Sequence, residues 1–203
     1  MTKTQKLLDT IPDNDAIIRC HWSLTKDSIK ALKKEILAEK AVKENYIFCE
    51  FYAERANKIE DTQKQLSGID YETFTHKIDL KASVGDYRDD NLYMFECVPV
   101  EIYQNGKRTF TTEKATTDIL FVNFNVETNK IYFLSVPYKW IVKIVDANLN
   151  NDAFNRFTMR DFIAPFRTSD NGSGTYIKVP MKNFIGLDGV YYKEVQLKNI
   201  KTN

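Results

Sequence analysis

Asp70, Asp79 and Lys81 are the residues whose types and spacing could do chemistry together. Asp70 closes the run Gln65-Leu66-Ser67-Gly68-Ile69-Asp70, and nine positions on, Asp79 sits within Lys77-Ile78-Asp79-Leu80-Lys81-Ala82-Ser83. Alternate side chains of an extended strand share a face, so Asp79 and Lys81 project to one side and Ile78 and Leu80 to the other. A turn through Glu72 to His76 would fold a preceding strand back and set Asp70 alongside Asp79 in an antiparallel hairpin. Converging carboxylates repel unless a cation lies between them, and oxygen ligands suit Mg²⁺ or Mn²⁺. The ion can bind a phosphodiester oxygen and a water. A lysine two residues beyond a ligand can orient or deprotonate that water, or stabilise charge on the phosphoryl oxygens. This is the minimum equipment for phosphodiester hydrolysis by in-line attack. Without a cation, Asp79 and Lys81 would be a same-face charge pair on a half-exposed strand, and Asp70 a turn aspartate after Gly68.

The elements that must position these residues follow from the pattern. Thr25 is an N-cap for a helix from Lys26, where Ile29, Leu32 and Ile36 recur at helical spacing. The spacing extends helical character, with a break near Lys43 to Asn45, through about Asp61. On that helix Phe48, Tyr52 and Ile59 share one side, while Glu50, Glu54, Asn57 and Asp61 line the other at steps of 4, 3 and 4. Such a stripe is also what the wet side of an amphipathic helix looks like. After Ser67-Gly68, short extended runs follow: Ile69 to Phe74, Lys77 to Ser83, Leu92 to Tyr103, Asp118 to Asn125 and Lys130 to Val136. They read as strands of one sheet. Asn105-Gly106 and Glu127-Thr128-Asn129 are turn signals, and Pro99 marks an edge or a bulge. Pro137 starts a helix containing Trp140, Ile141, Ile144 and Val145. Asp170 to Gly174 is a loop, Thr175 to Val179 a strand and Met181 to Ile185 a helical turn before a frayed tail. The expected fold class is α/β, a central mixed sheet flanked by helices, in a single domain with its core at about 26–148.

Gly68-Ile69-Asp70, the spacer to Asp79, and Asp79-Leu80-Lys81-Ala82 resemble the PD-(D/E)xK, restriction-endonuclease-like nuclease superfamily. In that pattern an acid begins one strand and Asp or Glu, any residue and Lys follow on the next, often after an acid on an upstream helix. The match covers roughly Glu50 to Val136. Gln65 and Lys114-Ala115-Thr116-Thr117-Asp118 look like further pieces of it. Isoleucine stands before Asp70 where the name-giving proline would be. The resemblance implies a Mg²⁺- or Mn²⁺-dependent DNA endonuclease with Asp70 and Asp79 as ligands and Lys81 assisting the attacking water. It also implies an upstream acid, drawn from Glu50, Glu54, Glu60 or Asp61. Glu54 is the leading catalytic candidate and Asp61 the leading third ligand. Glu96, amid apolar residues on a strand, is a further ligand or a structural acid.

Composition bounds the alternatives. The 203 residues, 43% hydrophobic and 13% aromatic, suffice for one core, and 29 Lys and Arg against 28 Asp and Glu leave +1. Affinity for a polyanion must therefore come from local patches. Lys107, Arg108, Lys114, Lys139, Lys143, Arg156, Arg160 and Arg167, with Tyr138 and Phe157, are candidates for a phosphate-binding rim. Cys20, Cys49 and Cys97 lack zinc or disulfide spacing and fit free thiols in a reducing cytoplasm. The N-terminus lacks a signal-type apolar region and no stretch is long enough for a membrane span. His21 and His76 are not spaced as a metal pair, no serine or cysteine has a local base, and Gly172-Ser173-Gly174 lacks the lysine of a phosphate loop. A catalytically weak module binding DNA or a protein partner is the main alternative to an enzyme. An interaction protein with an aromatic contact surface is the third class. Cutting both strands of a palindrome would favour a homodimer, though no dimer seam is legible.

Overall fold

Two short helices, α1 (Lys3–Leu8) and α2 (Asp13–Arg19), precede the long helix α3 (Lys26–Glu44) in this computed structural model. The structure describes residues 1–20, 23–66, 68–85, 93–98, 100–102, 108–110, 116–149, 158–163, 167–168 and 175–197. As the sequence predicts, Thr25 caps α3: its hydroxyl accepts from the Ser28 N–H, and the Ser28 hydroxyl accepts from the Thr25 N–H in return. Leu32, Leu37, Ala38, Ala41 and Val42 form the buried stripe of α3. Lys33 is buried as well, and its Nζ reaches Asp13 Oδ1 at 2.5 Å, tying α2 to α3.

Next come α4 (Ile47–Phe51), β1 (Asn57–Lys58), α5 (Thr62–Leu66), β2 (Tyr71–Glu72) and β3 (Lys77–Gly85). Further along are β4 (Tyr93–Val98), β5 (Val100–Ile102), β6 (Arg108–Phe110), β7 (Asp118–Asn125), β8 (Lys130–Pro137) and α6 (Tyr138–Leu149). The last strands are β9 (Arg167–Thr168), β10 (Thr175–Pro180) and β11 (Tyr191–Gln196). A six-stranded mixed sheet runs β1-β2-β3-β7-β8-β11, with β3 and β7 parallel and the remaining neighbours antiparallel. The architecture is α/β, as expected.

Alternation along the strands sorts the core into two layers. Ile78, Leu80 and Val84 of β3, with Leu120, Val122, Phe124, Ile131 and Phe133, face α1, α3 and α4. Ile119, Phe121, Tyr132, Leu134 and Val136 face α6, joined by Ile141, Ile144, Val145, Met181 and Phe184. Burial of each large apolar side chain contributes about 1.5–3 kcal/mol, so these layers hold β3 and β7 in register. The β7–β8 hairpin turns through Asn129 at φ 56°, and Asn125 Oδ1 accepts from the N–H groups of Glu127 and Thr128.

Four expectations need correction. The helix predicted to run to Asp61 ends at Phe51. Tyr52 turns out to hydrogen-bond Ser135 at 2.8 Å, and Ala53 takes a left-handed φ of 57°, so packing onto the sheet overrides helical periodicity. The Leu92 to Tyr103 run does not join the main sheet: β4 pairs with β10 and β5 with β6. Tyr191 to Gln196, expected to fray, is an edge strand on β8. The core also reaches beyond 26–148, taking in Leu8 and Ile11 at one end and Met181 and Phe184 at the other. The Asn105-Gly106 turn, Pro99 and the Asp170 to Gly174 loop lie outside the described residues.

Candidate active site

Asp70 and Asp79 meet because β2 and β3 form the predicted hairpin. Tyr71 pairs with Ile78 and Glu72 with Lys77. One step further, the Asp70 N–H donates to the Ile78 carbonyl at 2.9 Å, which sets Asp70 opposite Asp79. On its other side Asp70 is held by Ile59, whose N–H donates to the Asp70 carbonyl at 2.9 Å. The Gln65 side-chain amide donates to the Ile59 carbonyl at 2.6 Å and so steadies that brace. Gly68 turns the chain into this segment at φ 81°, where a β-carbon would be strained, and Thr116 fixes the turn by donating to the Gly68 carbonyl at 2.7 Å. Thr117 accepts from the Lys77 N–H at 2.8 Å at the start of β3. Thr116 and Thr117 thus position both strands that carry the acids.

The side chains complete the arrangement. Asp79 is only 1% exposed, and the Lys81 ammonium lies 2.9 Å from its Oδ1. In register, Asp79 stands beside Ile119 and Lys81 beside Phe121, so both belong to the α6 face of the sheet. Asp70 Oδ2 accepts the Leu80 N–H at 2.7 Å, which locks its carboxyl orientation. Burial, and then the neighbouring Asp79 charge, push the Asp70 carboxyl up to about 7, against the weaker downward pulls of the Leu80 N–H and Lys81. Its anion is disfavoured here, so added positive charge nearby would lower its energy.

The upstream acids are not where the sequence put them. Glu54 Oε1 accepts from the Phe74 N–H at 2.9 Å and the Thr75 hydroxyl at 3.4 Å, bracing the β2–β3 turn. Asp61 Oδ1 accepts from the N–H groups of Gln63 and Lys64 at 2.8 and 3.2 Å and caps α5. Glu50 pairs with Lys193, and Glu60 is exposed. None of the four is brought to Asp70 and Asp79: with the helix ended at Phe51, their common stripe no longer exists. Glu96 falls on β4 in the smaller sheet, and its side chain is outside the described residues.

The further acid whose charge is felt at Asp70 is Glu35 of α3. Burial and Glu39 raise its proton affinity, while Lys58, Arg19 and Lys81 lower it, and its charge in turn contributes to the rise at Asp70. Sequence reasoning passed over Glu35 because acids on α3 look like any solvated helix face. Glu39, one turn on, is bound by Arg19 at 2.8 Å and Lys58 at 2.5 Å. Of the candidate rim, Lys139 and Lys143 sit on α6 over Trp140, at 5.8 and 4.7 Å from its ring. Arg160 lies 3.7 Å from Asp161. The side chains of Lys107, Arg108, Lys114, Arg156 and Arg167 lie outside the described residues.

Among the described residues no group of three or more His, Cys, Asp or Glu side chains is gathered to hold a metal ion. Mg²⁺ is commonly held by one or two carboxylates while waters and substrate phosphate complete its shell, so the Asp70 and Asp79 pair fits such an ion as a donor set. No family model, curated protein or solved structure matches this chain. Among the described residues no helix is long and apolar enough to cross a membrane.

Proposed function

We propose that this chain is a divalent-metal-dependent phosphodiesterase acting on DNA, an endonuclease of the PD-(D/E)xK kind. The observation that carries the reading is the placement of Asp70 opposite Asp79, with the Lys81 ammonium 2.9 Å from Asp79. Bound between the two carboxylates, Mg²⁺ or Mn²⁺ would polarise the phosphodiester and lower the pKa of a water. The protein's own groups supply the rest. The Leu80 N–H keeps the Asp70 carboxyl in one orientation, and burial of Asp79 excludes competing solvent. Lys81 is half-exposed, and its ammonium can orient the attacking water and offset negative charge growing on the non-bridging oxygens. The water oxygen attacks phosphorus as the bond to the leaving oxygen breaks, and Glu35 is the nearby acid with raised proton affinity that could take up a proton.

The absence of a third gathered acid among the described residues favours one second reading, a module that binds DNA or a protein partner without cutting it. Cys20 and Cys49 are free thiols, the second exposed, which suits a reducing cytoplasm. Cutting both strands of a duplex would call for a homodimer or for two successive nicks. The deciding test is nicking of supercoiled plasmid with Mn²⁺ or with chelator. The wild type should nick only with the ion, and Asp79→Asn should not nick while melting normally. Equal nicking by Asp79→Asn would remove the proposal, and no nicking by either protein would leave the binding module.

A further inference from the structure

An open groove of about 1160 Å³ lies between α3, α4 and the β1–β2 edge, on the opposite side of the sheet from Asp79. It exceeds the roughly 300–1,000 Å³ typical of small-molecule pockets and suits a chain-like ligand. Its floor is aromatic: Phe48 packs on Tyr71 with ring centroids 4.6 Å apart. Its cations outnumber its acids. Arg19 and Lys58 share Glu39, and Lys40, Lys43 and Arg55 have no ion-pair partner among the described residues. Glu44, also in the wall, has an Oε2 that is buried with no hydrogen-bond donor among the described residues.

Tyr46 is the unusual residue. It joins α3 to α4 at φ 55° and ψ 32°, a left-handed position where helices ordinarily end in Gly or Asn, yet it carries a ring that is 74% exposed over the groove wall. A bulky residue kept in a disfavoured conformation with its ring in solvent gains nothing from packing, so its use lies in what the ring can meet. Exposed aromatic faces among unpaired cations are the equipment for unpaired nucleotides: bases stack, phosphates meet Lys and Arg, and a base amino group could supply the donor that Glu44 lacks.

We infer that this groove binds a single-stranded segment of nucleic acid, with a base stacked on Tyr46 and phosphates on Lys40, Lys43 and Arg55. The inference rests on the nucleic-acid part of the proposed function and deepens it. The groove is lined by Ile36 of α3, next to Glu35, and by Tyr71, next to Asp70, so it runs along the β1–β2 edge on the face of the sheet opposite Asp79.

The test is fluorescence anisotropy of a labelled 20-nucleotide DNA containing all four bases and no self-complementarity, in chelator so that cleavage plays no part, with the annealed duplex as comparison. The full chain should bind the single strand more tightly than the duplex. Tyr46→Gly should weaken single-strand binding roughly 5- to 150-fold, the loss of one stacked base, while Tyr46→Phe keeps it. Because glycine relieves the left-handed strain, Tyr46→Gly should also raise Tm by about 2–4 °C, which separates lost binding from lost folding. Lys40→Gln with Arg55→Gln should flatten the dependence of affinity on salt. Single-strand affinity unchanged in Tyr46→Gly, or duplex bound as tightly as the single strand, would overturn the inference. Cleavage failing while these effects appear would sink the nuclease reading alone. Cleavage intact while they are absent would sink the groove alone.

Discussion

Strands β3 and β7 hold buried aspartates on opposite faces of one sheet, and the two surroundings differ. Asp118, on the α3 side, accepts the Thr117 hydroxyl at 2.6 Å and lies 3.9 Å from His76 Nε2, beside the Tyr52 ring and its bond to Ser135. Burial raises its proton affinity, and Thr117 and His76 pull it back down. On the other face, Asp70 and Asp79 press their charges on each other, with the half-exposed Lys81 ammonium 2.9 Å from Asp79. Burial alone therefore does not mark a functional acid. A carboxyl matched by a neutral hydroxyl and a histidine closes a structural joint, whereas two buried carboxyls set side by side raise each other's proton affinity, which a cation would relieve.

The sharpest way to break this contrast is to remove one group from each face. Lys81→Ala should lower plasmid nicking on the order of 10²-fold or more, since it removes a group acting on the water or on developing charge, with Tm little changed. Asp118→Ala should do the reverse. It should cost about 1–3 kcal/mol of stability by leaving His76 without its partner carboxylate and the Thr117 hydroxyl with only its longer bond to the Lys77 carbonyl, while nicking per folded molecule stays near wild type. Thermal melts beside nicking rates decide it, and a catalytic collapse in Asp118→Ala with unchanged stability would erase the distinction.

A smaller effect separates the acid whose charge is felt at Asp70 from one that braces a turn. Glu35→Gln should slow nicking about tenfold, the equivalent of one pKa unit of lost interaction. Glu54→Gln should leave the rate within about twofold, because Glu54 braces the β2–β3 turn instead. Comparison of the two rates at saturating Mn²⁺ would show whether α3 supplies the upstream acid.

The smallest effect is on stability and has a pH signature. Asp70 has its folded-state pKa raised from 3.8 to about 7, so the folded chain binds its proton more tightly than the unfolded one. Native stability from this residue is therefore lost as pH rises from about 4 to about 7. Asp70→Asn carries no such charge. In chelator its Tm should gain on the wild type across that interval and then level off, whereas a gain that shrinks with rising pH would contradict the assigned burial and repulsion. A variant that folds better and does not cut is the expected mark of a residue kept for its ligand.

How far this was legible in the residues depends on how local each signal is. The Thr25 cap, the alternation of Ile78, Asp79, Leu80 and Lys81, the turn at Asn129 and the pairing of Asp70 with Asp79 rest on neighbours in sequence, and the structure agrees. The end of α4 rests on Tyr52 meeting Ser135, 83 positions away, so periodicity alone carried the helix too far. Strand β11 was missed because Tyr191-Tyr192-Lys193-Glu194 is an exposed edge without strict alternation, and its partner β8 lies some 60 positions earlier. Glu35 is not legible for a related reason: only its long-range electrostatic influence on Asp70, set by how α3 packs on the sheet, distinguishes it from the other charged residues of that helix.

The central claim is that Asp70 and Asp79 jointly hold a divalent cation, and calorimetric titration of Mn²⁺ into the protein near pH 8 tests it most directly. The account predicts saturable binding to the wild type, binding lost in both Asp70→Asn and Asp79→Asn, and binding retained in Lys81→Ala. A wild type that takes up no ion, or an Asp79→Asn protein that binds it as tightly as the wild type, would contradict the account.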